Sequence, residues 1–195
     1  MKRLLLCALV CWATLPDPSQ AADEAPYRLP LVKGPKPRMD GQVTSGEYAG
    51  SYTEPRTGIK VSWQSDGQTL YAALESPSKG WVALGLGARG MNSSTMVIGF
   101  TAPQGQWQVE EHLGRSLYRH QKVEQPRWLE AGAQPVAGRT VLEFALPLSL
   151  SNGRTIEPGT PMPFVLSMHK SKSKMSKHSK AASLLLELAP EPGKP

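Results

Sequence analysis

Two segments of the sequence carry a side chain that can bind a transition metal, and each lies beside apolar runs typical of strands. Met91 lies between an apolar run that starts at Trp81 and the run of residues 95–101. His178 precedes the apolar run of residues 183–189. Thioether sulfur and imidazole nitrogen are both axial ligands of haem iron. The two segments could therefore hold one haem iron between them.

An iron with protein ligands at both axial positions is suited to electron transfer. Such an iron has no free coordination position for oxygen or a substrate. A thioether ligand also raises the reduction potential of the haem. Trp81, Met96 and Phe100 are available near Met91 as the apolar walls of the pocket. Because no nucleophile–base pair or paired carboxylates stand in a recognisable motif, we predict an electron carrier or binding module and no enzyme.

Other side chains offer competing iron ligands. His169 ends a predicted strand close to the same loop and is the main rival to His178. Met175 and the lysines of that loop are further alternatives. His112 falls within a predicted strand and His120 within a predicted crossover, so both are weaker candidates.

Residues 1–21 are typical of a secretory signal peptide. A basic pair precedes the apolar residues 4–15, and residues 19–21 form a small-x-small cleavage site. Both cysteines, Cys7 and Cys11, lie in this leader. We therefore expect a secreted or periplasmic mature chain without disulfides, thiolate metal sites or covalently attached c-type haem. Any haem would be non-covalent haem b.

The rest of the chain predicts a single all-β domain. Residues 22–38 are proline-rich and predict an extended lead-in, residues 39–189 the domain, and residues 190–195 a tail. No segment has sustained helical periodicity, and no later apolar run has membrane-spanning length. Short apolar strands separated by turn signals favour an antiparallel β-sandwich.

The apolar runs also predict where the strands lie. Residues 114–138 are the least regular segment and predict a crossing between sheets. If every connection after residues 81–86 reverses the chain, the loops of Met91 and His178 lie at the same end of the sandwich. The predicted strands cover residues 59–63, 69–75, 81–86, 95–101, 107–113, 140–148, 164–169 and 183–189.

Positive charge is concentrated in residues 170–180, beside His178. The whole chain has a formal net charge of +6. At a pocket mouth this segment could pair with haem propionates or attract an acidic redox partner. The alternative is a solvated loop. One short basic loop makes no broad basic face, which argues against binding of nucleic acid.

Residues 80–85 and 91–99 resemble the central motif of the DOMON domain family. In that family a glycine-tryptophan-aliphatic strand is followed by a methionine, a small-residue turn and a strand that ends in glycine. Residues 178–188 resemble the family's last strand, and the hairpin around Asp66-Gly67 fits its opening. The resemblance extends over roughly residues 40–189.

The resemblance implies an immunoglobulin-like β-sandwich that binds b-type haem or a sugar. In haem-binding members a methionine and a histidine ligate the iron, and these positions match Met91 and His178. Relatives include the cytochrome domain of cellobiose dehydrogenase and the haem subunit of ethylbenzene dehydrogenase. A lysine replaces the histidine in the latter, which keeps Lys177 and Lys180 as candidates. The loop before His178 departs from the common pattern, since it is rich in lysine and lacks glycine.

Two functions follow as expectations from the resemblance. The first is a b-type cytochrome whose redox partner is a dehydrogenase or a membrane b-type cytochrome. The second is a haem-free module in which Trp63, Trp81 or Trp107 stacks on a sugar and Met91 belongs to the core.

Overall fold

A computed structural model describes residues 25–190. The predicted signal peptide, residues 1–21, and most of the predicted tail lie outside this range. The described chain contains twelve strands and no helix, so it offers no helix that could cross a membrane. The strands are β1 (Tyr27–Leu29), β2 (Gly50–Thr53), β3 (Lys60–Ser65), β4 (Thr69–Ser76), β5 (Val82–Leu86), β6 (Thr95–Thr101), β7 (Trp107–Gly114), β8 (His120–Lys122), β9 (Glu130–Val136), β10 (Arg139–Pro147), β11 (Met162–Met168) and β12 (Lys180–Leu188).

The strands form two sheets that pack as a sandwich. A seven-stranded sheet has the order β1-β12-β11-β5-β6-β7-β8, and a five-stranded sheet has the order β2-β3-β4-β10-β9. Neighbouring strands are antiparallel, except that β1 pairs with β12 in parallel. The predicted all-β, immunoglobulin-like antiparallel sandwich is confirmed.

Every predicted strand overlaps an observed strand, whereas β1, β2, β8 and β9 were not predicted. β1 lies in the proline-rich lead-in, and β8 and β9 lie within residues 114–138. β1 and β8 have three residues each, and β9 has no buried residue. These strands have no apolar face of their own and are extended because they pair with neighbouring strands. A local sequence pattern therefore cannot identify them.

Alternation along the strands assigns their side chains to two faces. On β12 the buried positions Leu184, Leu186 and Leu188 alternate with partly exposed ones. Between the sheets, Phe164 meets the edge of Trp63 with ring centroids 5.7 Å apart. Burial of one such aromatic side chain stabilises the fold by about 1.5–3 kcal/mol. Trp63 is therefore a core residue, with no face free to stack on a sugar.

The outer face of the seven-stranded sheet carries a second apolar cluster. All residues of β5 are buried, so this strand is covered on both faces. Met91 and Met175, from two different loops, pack against the cluster. The outer cluster consists of Trp81, Ala83, Met96, Ile98 and Phe100.

The two loops that cover the outer cluster start from opposite ends of the sheet. In the antiparallel pair of β5 and β11, Leu86 is opposite Phe164 and Val82 is opposite Met168. Residues 87–94, the Met91 loop, follow Leu86, whereas residues 169–179, the His178 loop, follow Met168 at the other end. The prediction that both loops lie at the same end of the sandwich is wrong. It assumed that the chain reverses direction at every connection, and the crossing between the sheets through β8 and β9 does not follow that rule.

Candidate functional site

A groove over the outer cluster is lined by both loops. It has two compartments, with volumes of about 220 Å³ and about 370 Å³. The smaller also contains Arg56 and Arg89 and is called the Arg end. The larger also contains Met175 and is called the Met175 end. The residues that line both compartments are Ala83, Met91, Met96, Ser167 and His178.

The predicted ligand pair therefore shares one groove. Met91 is half-buried and His178 is exposed, and both line the two compartments. Of the residues predicted as pocket walls, Met96 lines both compartments and Trp81 lines the Met175 end. Phe100 is buried in the outer cluster and packs beneath the groove without lining it.

Hydrogen bonds hold the backbone of Met91 against β7. The Met91 carbonyl accepts hydrogen bonds from the Ser94 backbone N–H at 3.1 Å and from Ser94 Oγ at 2.7 Å. Ser93 N donates to the Gly114 carbonyl at 3.1 Å, and Gly114 N donates to the Ser94 carbonyl at 2.9 Å. These bonds close the turn and fix the position from which the Met91 side chain enters the groove.

The His178 loop is hydrogen-bonded to Trp81, the residue just before β5. Trp81 N donates to the Lys172 carbonyl at 3.0 Å, and the Trp81 indole N–H donates to Ser176 Oγ at 3.3 Å. Met175, between these anchors and His178, packs on the outer cluster. The loop thus crosses the outer face of the sheet and brings His178 to the groove.

His169, the rival to His178, has a different position. Its Nδ1 accepts hydrogen bonds from the backbone N–H groups of Ser171 at 3.1 Å and Lys172 at 2.9 Å. Its backbone N–H donates to the Trp81 carbonyl at 3.0 Å. His169 lines neither compartment. It shapes the start of the His178 loop, while the His178 imidazole lies on the groove.

His120, a weaker candidate ligand by its sequence position, also lines the groove. It lines the Met175 end together with Leu117 and Tyr118, which the β7–β8 hairpin exposes to solvent. Because β8 has only three residues, the strand pattern could not reveal the hairpin. The one available signal was Gly114 followed by Arg115 and Ser116, which is weak evidence for a turn.

The His120 imidazole is part of a hydrogen-bonded chain. His120 Nδ1 lies 2.8 Å from Nδ1 of the buried His112. His112 Nε2 lies 2.9 Å from Glu110 Oε2, and Lys122 Nζ donates to Glu110 Oε1 at 2.6 Å. Burial lowers the pKa of His120, and the neighbouring His112 lowers it further. His120 is thus a mainly neutral imidazole near neutral pH.

The donor set of the groove matches haem iron in type. A thioether and an imidazole line the same space, above an apolar floor, with two guanidinium groups at one end. Ser183 Oγ at the Arg end is buried and has no hydrogen-bond partner among the described residues. Residues 25–190 contain no cluster of three or more His, Cys, Asp or Glu that could hold a bare metal ion.

A second cleft competes with the groove in size but not in chemistry. Its volume is about 450 Å³, and it lies beside residues 32–49 with Gln64 in its wall. Charged, polar and apolar residues line it, and they include neither methionine nor histidine. The groove over the outer cluster is therefore the better candidate for an iron-containing cofactor.

Comparisons with known proteins agree with this architecture. The sequence model of the DOMON domain matches residues 56–169, which confirms the resemblance inferred from the motifs. No curated protein matches the chain.

Among solved structures, the chain is similar to the cytochrome b domain of pyranose dehydrogenase from Coprinopsis cinerea. The TM-score is 0.54 at 16% identity, over 69% of this chain and 79% of that one. A carbohydrate binding module of family 9 from Caldicellulosiruptor kristjanssonii, in complex with glucose, has a TM-score of 0.50 at 13% identity, over 86% of this chain and 98% of that one. The cytochrome domain of Myriococcum thermophilum cellobiose dehydrogenase has a TM-score of 0.47 at 12% identity, over 71% of this chain and 88% of that one. At these identities the likeness concerns the fold.

Proposed function

Because the chain belongs to the DOMON domain family, we propose that it binds haem b without a covalent link and transfers single electrons. Met91 and His178 are the proposed axial ligands of the iron. The supporting observation is their placement: loops from opposite ends of the sheet bring a thioether and an imidazole to one groove.

The proposed roles of the groove residues follow from their chemistry. Haem, when bound, supplies a one-electron couple at its iron. The Met91 thioether favours the ferrous state and raises the reduction potential. Trp81, Met96 and Ile98 form an apolar floor that excludes water from one side of the groove. His178, on an exposed loop, completes the axial pair near the surface.

An electron carrier of this kind acts with a partner protein. The proposed partner is a dehydrogenase or a membrane b-type cytochrome, and the proposed location is the periplasm or the outside of the cell. The lysine-rich His178 loop lies at the groove, where positive charge attracts an acidic partner surface. In this role the chain holds the cofactor and converts no substrate of its own.

Sugar binding is the second candidate, and the fold shared with a glucose-binding module favours it. Trp81 is the tryptophan that lines the groove. However, Trp81 is only 6% exposed, and its indole N–H donates a hydrogen bond to Ser176 Oγ. Stacking on a sugar requires an open aromatic face, so the groove suits a planar apolar cofactor better.

The first test is a visible absorption spectrum of protein expressed with a supply of haem, oxidised and then reduced with dithionite. A six-coordinate b-type haem gives sharp reduced α and β bands, which is the expected result. A folded protein that takes up no haem contradicts the proposal. Calorimetry with glucose and cello-oligosaccharides then tests the second candidate.

A further inference from the structure

The two ends of the groove differ in charge. The Arg end includes the guanidinium groups of Arg56 and Arg89 and the hydroxyl group of Ser183. The Met175 end is mostly apolar and includes one ammonium group, that of Lys177. Neither compartment is lined by Asp or Glu among the described residues. A ligand with anionic groups on one edge would therefore bind with that edge at the Arg end.

Arg56 is held in place by a buried carboxylate. Glu54 is 1% exposed, and its Oε1 accepts a hydrogen bond from Arg56 Nε at 3.1 Å. Arg56 Nη2 donates to the Ser183 carbonyl at 3.4 Å, which joins Arg56 to β12. A guanidinium group has further N–H donors beyond these two contacts. Arg56 is thus oriented in advance, with donors left for a ligand.

Ser183 supplies an independent sign of a missing ligand. Its Oγ is buried and has no hydrogen-bond partner among residues 25–190. Buried hydroxyl groups without partners are rare because they lose their bonds to water and gain none. Ser183 lies at the Arg end, where its backbone carbonyl accepts the hydrogen bond from Arg56. A carboxylate bound there would accept the unused hydrogen bond.

Arg89 supplies the second unneutralised charge. It is exposed on the Met91 loop, two positions before the proposed ligand, and it has no ion-pair partner in the described chain. Because Glu54 offsets much of the charge of Arg56, Arg89 provides most of the net attraction for an anion at this end.

We propose that Arg56, Arg89 and Ser183 form a carboxylate-binding site that receives the two propionates of haem and fixes its orientation in the groove. This inference rests on the proposed haem function and goes further, because it assigns the residues that recognise the acidic edge of the cofactor. Such a site favours a porphyrin with free carboxylates over its neutral ester.

The test compares haem with haem dimethyl ester, in which both propionates are neutral. Each is titrated into apoprotein at low ionic strength, and the dissociation constant is read from the Soret band. Arg89→Gln should weaken haem binding about 10-fold and Arg56→Gln about 5-fold. Binding of the dimethyl ester should change less than 2-fold in both variants.

Lys177→Gln is the matched control, because it removes one charge from the opposite end of the groove. It should weaken haem binding less than Arg89→Gln does. A larger loss with Lys177→Gln than with Arg89→Gln would place the propionates at the Met175 end and overturn the inference. Equal losses for haem and its ester would overturn it too. Arg89 is exposed, so its replacement tests the site even if Arg56→Gln fails to fold.

The two proposals fail in different ways. If wild-type protein binds neither porphyrin, the haem function fails and the inference falls with it. If haem binds tightly but Arg56→Gln and Arg89→Gln bind it as well as wild type does, the haem function stands. Only the carboxylate-binding site is then rejected.

Discussion

The carbonyl oxygen of Met91 lies directly against the α-carbon of Gly114. A Cβ atom on Gly114 would stand 1.6 Å from that oxygen, far inside any permitted contact. Gly114 is the last residue of β7, so the end of this strand sets how closely the Met91 loop can approach the sheet. The position of the proposed iron ligand thus depends on a glycine that lies in a different part of the chain.

Gly114→Ala should displace the Met91 loop. The added methyl group meets backbone atoms that cannot rotate away, so we expect a loss of about 1–3 kcal/mol in the free energy of unfolding. The reduced haem spectrum should also lose low-spin character. Gly90→Ala is the control in the same loop, because a Cβ there meets nothing within 4 Å. Equal effects of the two variants in urea unfolding and absorption spectra would contradict the contact.

Met91→Leu should remove the thioether and keep the apolar bulk. The reduction potential should fall and the haem should become high-spin, because leucine cannot bind iron. Met175→Leu is the matched control, since Met175 packs on the same outer cluster. Potentiometric titration and absorption spectra check both variants. If Met175→Leu is the variant that turns high-spin, the ligand is Met175.

His178→Ala should remove the second axial ligand, and added imidazole should restore the low-spin spectrum by occupying the vacated position. His169→Ala should keep the low-spin spectrum but lower the melting temperature, because Ser171 and Lys172 lose their hydrogen-bond acceptor. His120→Ala tests the third imidazole near the groove. Loss of the low-spin spectrum in His120→Ala alone would transfer the ligand role to His120.

Glu54 should make folding stability depend on pH. Burial raises its pKa, but hydrogen bonds from Thr57 and Arg56 outweigh burial and hold the pKa below the ordinary value of 4.5. A carboxyl group of this kind adds stability above its unfolded pKa and loses that contribution as pH falls through its folded pKa.

Glu54→Gln isolates this contribution of Glu54 to stability. At neutral pH the variant should be less stable by about 1–3 kcal/mol, because the charged acceptor of the Thr57 and Arg56 bonds is lost. Urea unfolding at several pH values should show the gap to wild type narrow below about pH 4.5. A gap that stays constant down to about pH 2 would refute the role assigned to the ionised carboxylate.

The lysines of the His178 loop should control electron exchange with charged reagents. Residues 170–186 contain five lysines and no acidic residue. Stopped-flow oxidation of the reduced protein by hexacyanoferrate(III) should slow as ionic strength rises, whereas oxidation by hexaammineruthenium(III) should accelerate. Lys172→Gln with Lys174→Gln should lower the hexacyanoferrate rate about 2- to 5-fold at low ionic strength. Identical salt dependence for both oxidants would contradict steering by this loop.

The sequence alone determined the strands that carry their own apolar pattern. Alternation along residues 81–86 assigns Val82 and Leu84 to one face and Trp81 and Ala83 to the other, because side chains in a strand alternate with a period of two. Parity separates these two faces, but both are apolar, so the sequence did not show which one is the sandwich core and which one is the floor of the groove. Met91 was identifiable as well, since its motif is contiguous.

Only the tertiary structure decided which loops and side chains meet. The path of the chain between the sheets sets the direction of β11, and with it the end at which the His178 loop starts; no local pattern records that path. His120 reaches the groove through a three-residue strand that exists because β7 pairs with it. Arg56 and Ser183 are far apart in sequence and become neighbours only when β12 completes the sheet. Local sequence encodes the face of each strand, whereas strand pairing over long separations brings together the residues of the site.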